Sequence, residues 1–212
     1  MKRILLVDDH VVVRQGLIQL LSILLDPSVE FDEASTGQEG IDKLNRTDYS
    51  LVLVDISLPG RNGLDVLRQM RQLKPNIPIL VLSMHPDEQY AVRALRAGAS
   101  GYVTKASASE ELKGAIEKAL KGEKYVTPFQ ATLLADAISE DHDVAELHNL
   151  LSDREYQFAC MLTSGKTMTQ IAQDLNLSVK TISSYRSRVL EKLHLRTSAD
   201  IINYCITHGI VM

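Results

Sequence analysis

Four short apolar runs constrain this chain more than any other feature. Ile4 to Val7, Leu51 to Val54, Ile79 to Leu82 and the shorter Tyr102-Val103 are unbroken by polar residues. Each gives way, at once or one residue later, to polar groups: Asp8-Asp9, Asp55, Ser83 and, after Thr104, Lys105. Runs this short are poor buried helices and fit strands of a parallel sheet covered on both faces. Val29 and Phe31 alternate with acidic neighbours, as on a strand with one exposed side. Between the runs the apolar spacing is helical: Val13, Leu17, Leu20, Leu21 and Leu24; then Leu64, Leu67 and Leu73 after the turn signal Pro59 to Gly63; then Leu112, Ile116 and Leu120. Strand alternating with helix predicts an α/β domain with helices on both faces of a parallel sheet.

That architecture turns scattered residues into one candidate site. The C-terminal ends of parallel strands share an edge, and ligands bind there. Asp8, Asp9, Asp55, Ser83 and Lys105 are therefore expected to converge. Three crowded carboxylates repel one another, which raises at least one pKa unless a cation is present. A hard divalent ion, Mg²⁺ with several retained waters, suits such oxygen donors. The metal, Lys105 and the Ser83 hydroxyl would hold three phosphoryl oxygens, with Asp55 as the nucleophile that forms an acyl phosphate. Positioning and charge neutralisation would carry the chemistry.

Beyond Gly122 the pattern changes. Pro128 opens a helix carrying Leu133, Leu134 and Ile138, and Ser139 to Asp143 reads as a polar, acidic linker. The remaining tail is helical. Ser152 with Glu155 and Thr167 with Gln170 are capping boxes, and Ser178 is a further N-cap. Closely spaced caps mean short helices packed at angles. Ile171, Ala172 and Leu175 form one inward face; Asn176, Leu177 and Ser178 form a turn; Ile182, Val189, Leu190 and Leu193 form the next inward face. This is the pattern of a helix-turn-helix. Lys180, Ser183, Ser184, Ser187 and Arg188 face away from that core. Small hydroxyls permit close approach to base edges, and Lys and Arg neutralise phosphates. Charge points the same way: residues 1–149 hold 16 Lys and Arg against 22 Asp and Glu, and residues 150–212 hold 7 against 5. Cys160 and Cys205 have no partner at metal-ligand spacing, which predicts buried thiols in a reducing compartment. No stretch has the pattern of a secretory signal or the length of a membrane span, so a cytoplasmic protein is expected.

The motifs resemble a known family. Asp8-Asp9, then Asp55 to Pro59, Ser83, and Tyr102 to Lys105 resemble a response-regulator receiver domain over about residues 2–121. Leu151 to Glu155, Gly165, Ile171-Ala172, Leu175, Ser178, Lys180 to Ile182 and Lys192-Leu193 resemble the LuxR-type domain of NarL/FixJ regulators. The resemblance implies a flavodoxin-like sheet of order 2-1-3-4-5 and then an all-α helix-turn-helix unit. It implies that Asp9, Asp55 and the Ser57 carbonyl ligate Mg²⁺, with Asp8 helping through water. It pairs Ser83 with Tyr102 as a switch. In the tail it places Ser183, Ser184 and Ser187 at bases and Lys180, Tyr185, Arg186 and Arg188 at the backbone, with Thr181 in the same DNA-facing set. Leu58 stands for the commoner Met, Ala106 for a Pro that often follows a cis bond, Tyr185 for His and Ser183 for a frequent Lys.

The expected organisation is a receiver over 1–121, a linker with a helix over 122–149 and a DNA-binding domain over 150–212. The expected partners are a sensor histidine kinase, inverted-repeat DNA and a second copy of the chain, and not a membrane. An Asp-nucleophile phosphatase would need a general acid two residues after Asp55, and that place is Ser57. The chain is therefore expected to accept phosphate and lose it slowly, not to turn over an external substrate.

Overall fold

The computed structural model describes residues 2–58, 61–83, 88–105, 109–139 and 147–210. Pro59-Gly60, the Lys105–Ala106 bond, linker residues 140–143 and the side chains of Leu133 and Ile138 lie outside what is described. The chain divides into two compact units, Met1–Ala131 and Thr132–Met212.

The first unit alternates strands and helices: β1 (Arg3–Val7), α1 (Val11–Leu24), β2 (Glu30–Ala34), α2 (Gly37–Arg46), β3 (Leu51–Asp55), α3 (Gly63–Leu73), β4 (Ile79–Ser83), α4 (Glu88–Arg96), β5 (Gly101–Thr104) and α5 (Ser109–Leu120). The five strands form one sheet of order β2-β1-β3-β4-β5, and all pairs are parallel. The expected order is therefore found. β3 and β4 are buried along their whole length, as their unbroken apolar runs require. β2 is an edge strand, and most of its residues are half-buried.

One face of the sheet presents Ile4, Leu6, Leu51, Leu53, Leu80, Leu82 and Val103 to Leu17 and Leu21 of α1 and to Leu112, Ala115, Ile116 and Ala119 of α5. The alternate residues face α2, α3 and α4. Gly40 of α2 lies so close to Val7 and Met70 that a Cβ there would be 2.8 Å from Val7. In α3 Leu73 lies in the helix, as its spacing predicts, but is exposed, and Met70 with Val66 and Leu67 takes the buried stripe. The helix ends at Leu73, so that residue has passed the edge of the core. α4 carries only a weak apolar period because its buried stripe includes the small residues Ala91 and Ala94 beside Tyr90 and Leu95.

Register decides the site. Val7 lies opposite Val54, Asp55 opposite Leu82, and Ser83 opposite Thr104. The C-terminal ends of β1, β3, β4 and β5 are thus level. Pairing continues one residue further, with Asp8 N donating to Ala34 O, Ile56 N to Leu82 O and Lys105 N to Ser83 O. The first polar residues after each run are fixed by backbone bonds.

α6 (Pro128–Ser139) spans the division between the units. The second unit then has a 3₁₀ turn at Leu147–Leu150 and four helices: α7 (Asp153–Thr163), α8 (Met168–Asp174), α9 (Val179–Lys192) and α10 (Ser198–Thr207). The boxes at Ser152 and Thr167 form, and Ser178 accepts from Thr181 N. Thr197 with Asp200 makes a further box that the sequence reading passed over. Between α8 and α9, Asn176 takes a left-handed φ of 52°, a conformation Asn tolerates better than most residues. Tyr156, Phe158, Ile171, Ile182, Val189, Ile201 and Ile210 are wholly buried together with the thiols of Cys160 and Cys205. Buried Glu155 accepts from Ser152 N at 2.8 Å and from Lys192 Nζ at 2.6 Å, which ties the start of α7 to the end of α9. Burial works against its charge, but Lys192 and Ser152 outweigh it and hold the carboxyl below its usual range. Among the described residues, no helix is long and apolar enough to cross a membrane.

Candidate functional site

At the level strand ends Asp8, Asp9, Asp55 and Lys105 come together. Lys105 Nζ lies 2.6 Å from Asp8 Oδ2 and 2.8 Å from Asp55 Oδ2, and all three side chains are buried. Residues 97 and 50 positions apart in sequence are joined by one ammonium group. Ser57 reaches the pocket through its amide, which donates to Asp55 Oδ1 at 3.1 Å. Ser83 is fully buried at the end of β4, and Tyr102 is only 2% exposed in β5. Asp9 lies at the rim, half-buried, yet its Oδ1 is shielded from solvent and accepts no hydrogen bond.

The pocket's electrostatics refine the sequence argument. Asp55 has its pKa raised, and burial is the main cause. Lys105 opposes that shift, and the neighbouring Asp8 adds only a lesser push. Crowding of carboxylates is thus secondary to desolvation. Burial also pulls against the charged form of Lys105, but Asp55 and Asp8 overcome it and leave its pKa raised. Lys105 bonds to two of the three carboxylates, Asp8 and Asp55. Asp8, Asp9, His10 and Asp55 offer ligand atoms that all lie within 4.8 Å of one another. This donor set, with the orphaned Asp9 oxygen, fits a divalent cation.

Several positioning residues were not singled out from sequence. Arg14 is buried on α1; its guanidinium donates to Asp8 O and to Glu33 Oε2, both at 2.6 Å. It anchors the backbone that carries Asp8. Gly63 opens α3 against the end of β3, where a Cβ would come within 2.3 Å of Asp55 O and 2.5 Å of Ile56 Cα. Buried Asn62 caps that helix by accepting from Leu64 N at 2.8 Å. The signal for Gly63 was its place in a turn-rich stretch, but a turn glycine and a close-packed glycine look alike in sequence. His10 was also overlooked: its Nδ1 lies 3.0 Å from Asp9 Oδ1.

In the second unit, Lys180, Ser183, Ser184, Ser187 and Arg188 are exposed along α9, as expected. Ser184 and Ser187 hydroxyls donate back to the Lys180 and Ser183 carbonyls, both at 3.1 Å. Their lone pairs remain outward. Thr181, Tyr185 and Arg186 are half-buried. Thr181 Oγ1 is 2.8 Å from Ser178 Oγ at the helix start. Arg186 is less free than its exposed neighbours, because its Nε donates to Ser198 Oγ at 2.7 Å and links α9 to α10.

Residues 4–117 match the response regulator receiver domain, and residues 149–205 match the luxR family of bacterial regulatory proteins. The chain belongs to the NarL/FixJ family of response regulators. This regulator is 32% identical over 210 residues to the response regulator UvrY of Escherichia coli (strain K12), covering 99% of this chain and 96% of UvrY. It is 32% identical over 211 residues to the response regulator GacA of Pseudomonas viridiflava, covering 100% of this chain and 98% of GacA. Among solved structures it resembles RcsB of Salmonella enterica serovar Typhimurium bound to the promoter rprA in the presence of the phosphomimetic BeF₃⁻. That match has a TM-score of 0.65 at 25% identity, covering 96% of this chain and 97% of RcsB.

Proposed function

We propose that this two-component response regulator controls transcription by binding DNA, and that Mg²⁺-dependent phosphorylation of Asp55 switches it. The observation that carries the reading is the buried Lys105 bridge between Asp8 and Asp55, beside an Asp9 oxygen with no hydrogen-bond partner. Asp55 is the nucleophile. A carboxylate oxygen bonds to phosphorus as the bond from phosphorus to the donor breaks, and the donor keeps that electron pair. Lys105 Nζ is within hydrogen-bond reach of Asp55 and so can hold a phosphoryl oxygen attached there. Ser83 offers a hydroxyl to another. Asp9, Asp55 and the Ser57 carbonyl would hold Mg²⁺, with Asp8 assisting through water; the ion would supply positive charge against the developing phosphoryl charge. Ser83 and Tyr102 form the switch pair.

The donor is a sensor histidine kinase or a small phosphodonor. Water then removes the phosphate slowly, and no external substrate is turned over. The second unit reads an inverted-repeat operator as a homodimer in the cytoplasm. Support comes from the exposed Lys180, Ser183, Ser184, Ser187 and Arg188 on α9 and from the promoter-bound RcsB. Thr181, Tyr185 and Arg186 flank that surface.

Intact-mass spectrometry after incubation with acetyl phosphate and Mg²⁺ tests the core claim. The wild-type chain should gain one phosphoryl group, and Asp55→Asn should gain none. Undiminished labelling of Asp55→Asn would remove Asp55 from the mechanism.

A further inference from the structure

We propose that Tyr125 is a positioning residue that makes the linker helix α6 respond to the switch pair. The inference rests on the phosphorylation reading above and names the contact through which that signal leaves β5.

β5 is the last strand of the sheet, so its outer edge faces no further strand. Tyr125 lies along part of that edge. Its amide donates to Ser100 O at 2.7 Å, and it pairs with Gly101 as an isolated parallel bridge. The fit is tight: a Cβ on Gly101 would lie 2.9 Å from both the Cβ and the carbonyl oxygen of Tyr125. Only glycine lets the two backbones meet this closely. The Tyr125 side chain fastens the same contact to α5. Its hydroxyl donates to Glu111 Oε1 at 3.2 Å, and Lys118 Nζ stands 5.7 Å from the ring centroid. Next to it, Lys124 Nζ donates to Ala99 O at 3.3 Å.

α6 follows with little slack. Thr127 N donates to Gln130 Oε1 and Gln130 N to Thr127 Oγ1, both at 3.2 Å, and Gln130 is buried. Val126 alone separates this cap from the bridge. On the other side of the bridge, one peptide bond joins Gly101 to Tyr102 of the switch pair. Strands pair through their backbones, so a change in β5 at Tyr102 acts on the partner of its neighbour. A close-packed contact passes such a shift on instead of absorbing it. Phosphate at Asp55 therefore changes how firmly Tyr125 holds the start of α6. Tyr125 acts through β5 and takes no part in the chemistry at Asp55.

Hydrogen exchange of the full chain, in Mg²⁺ with and without acetyl phosphate, tests the coupling. Intact-mass spectrometry follows labelling of Asp55 in the same samples. In wild type, exchange at the amides of Tyr125, Gln130 and Ala131 should change about threefold or more on labelling. Tyr125→Ala should label within about twofold of the wild-type rate but lose that difference. Tyr125→Phe keeps the ring and should restore most of it. A wild-type chain that labels without any change at these amides overturns the proposal. So does Tyr125→Ala if it keeps the whole difference, or if it labels far more slowly, which would make Tyr125 a support of the pocket itself. If wild type does not label, the phosphorylation reading fails and this inference falls with it.

Discussion

Asp55 is a residue held against its own preference. Its folded pKa lies above the ordinary carboxylate value because it is buried. A raised folded pKa means stability that is present at acid pH and lost as pH rises through the folded value. Where Asp55 is ionised it therefore destabilises the metal-free fold, and Lys105 offsets only part of that. Asp55→Asn removes the charge, while Lys105 keeps Asp8 at 2.6 Å. The variant should be about 0.5–2 kcal/mol more stable than wild type in metal-free buffer near pH 7. The gain should shrink as pH falls and the wild-type carboxyl becomes neutral too. Urea denaturation across that pH range checks both parts. A less stable Asp55→Asn at neutral pH would mean that the Lys105 bridge outweighs desolvation. On the proposed function, the chain keeps a group here that stability alone would discard.

At the scale of elements, the abutment of α3 on β3 sets where Asp55 sits. Gly63 permits it, because any side chain would collide with the Asp55 carbonyl and the Ile56 backbone. Gly63 N also donates to Ile56 O at 3.0 Å, so the contact is bonded as well as close. Gly63→Ala should push α3 away by a few tenths of an ångström or more and disturb the loop after Asp55. Overpacking of this kind costs about 1–3 kcal/mol. Labelling by acetyl phosphate should slow at least tenfold, whereas Gly16→Ala, with open space around its Cβ, should label at the wild-type rate. Equal rates in the two variants would show that the abutment does not position the nucleophile. The strands and the convergence of Asp8, Asp55 and Lys105 were legible because buried parallel strands write themselves as apolar runs with polar ends. Gly63, Arg14 and His10 were not. Their roles depend on approach distances between elements, and no periodicity encodes those. The exposure of Leu73 was not legible for a related reason: spacing cannot say where a helix outruns its core.

For the molecule as a whole, charge is unevenly spread, with an acid excess over residues 1–149 and a base excess over residues 150–212. Most of that acid excess falls in residues 122–149, which hold 6 Asp and Glu against 1 Lys, so this stretch can compete with DNA for the basic residues that follow. A fragment of residues 145–212 should bind DNA without phosphate, and more tightly than the unphosphorylated whole. Fluorescence anisotropy at matched concentration and salt measures the difference. A fragment that binds much more weakly than the resting whole would assign the receiver a different part, supplying contacts between copies and raising affinity through avidity.

The level ends of the strands carry a consequence for biosynthesis. Lys105 is locked to the sheet through its amide bond to the Ser83 carbonyl, and it completes a pocket begun at Asp8. A ribosome makes the chain in that same order, so Asp8, Asp9 and Asp55 exist for some time without their counter-charge. Parallel pairing between distant segments is the slow part of folding such a domain. On the proposed function, a nascent chain halted before Lys105 would have its acidic residues but not a complete phosphorylation site. On that reading, a phosphodonor would find a complete pocket only once the last strand has been delivered and paired, and a signal would be recorded only on molecules whose sheet is finished.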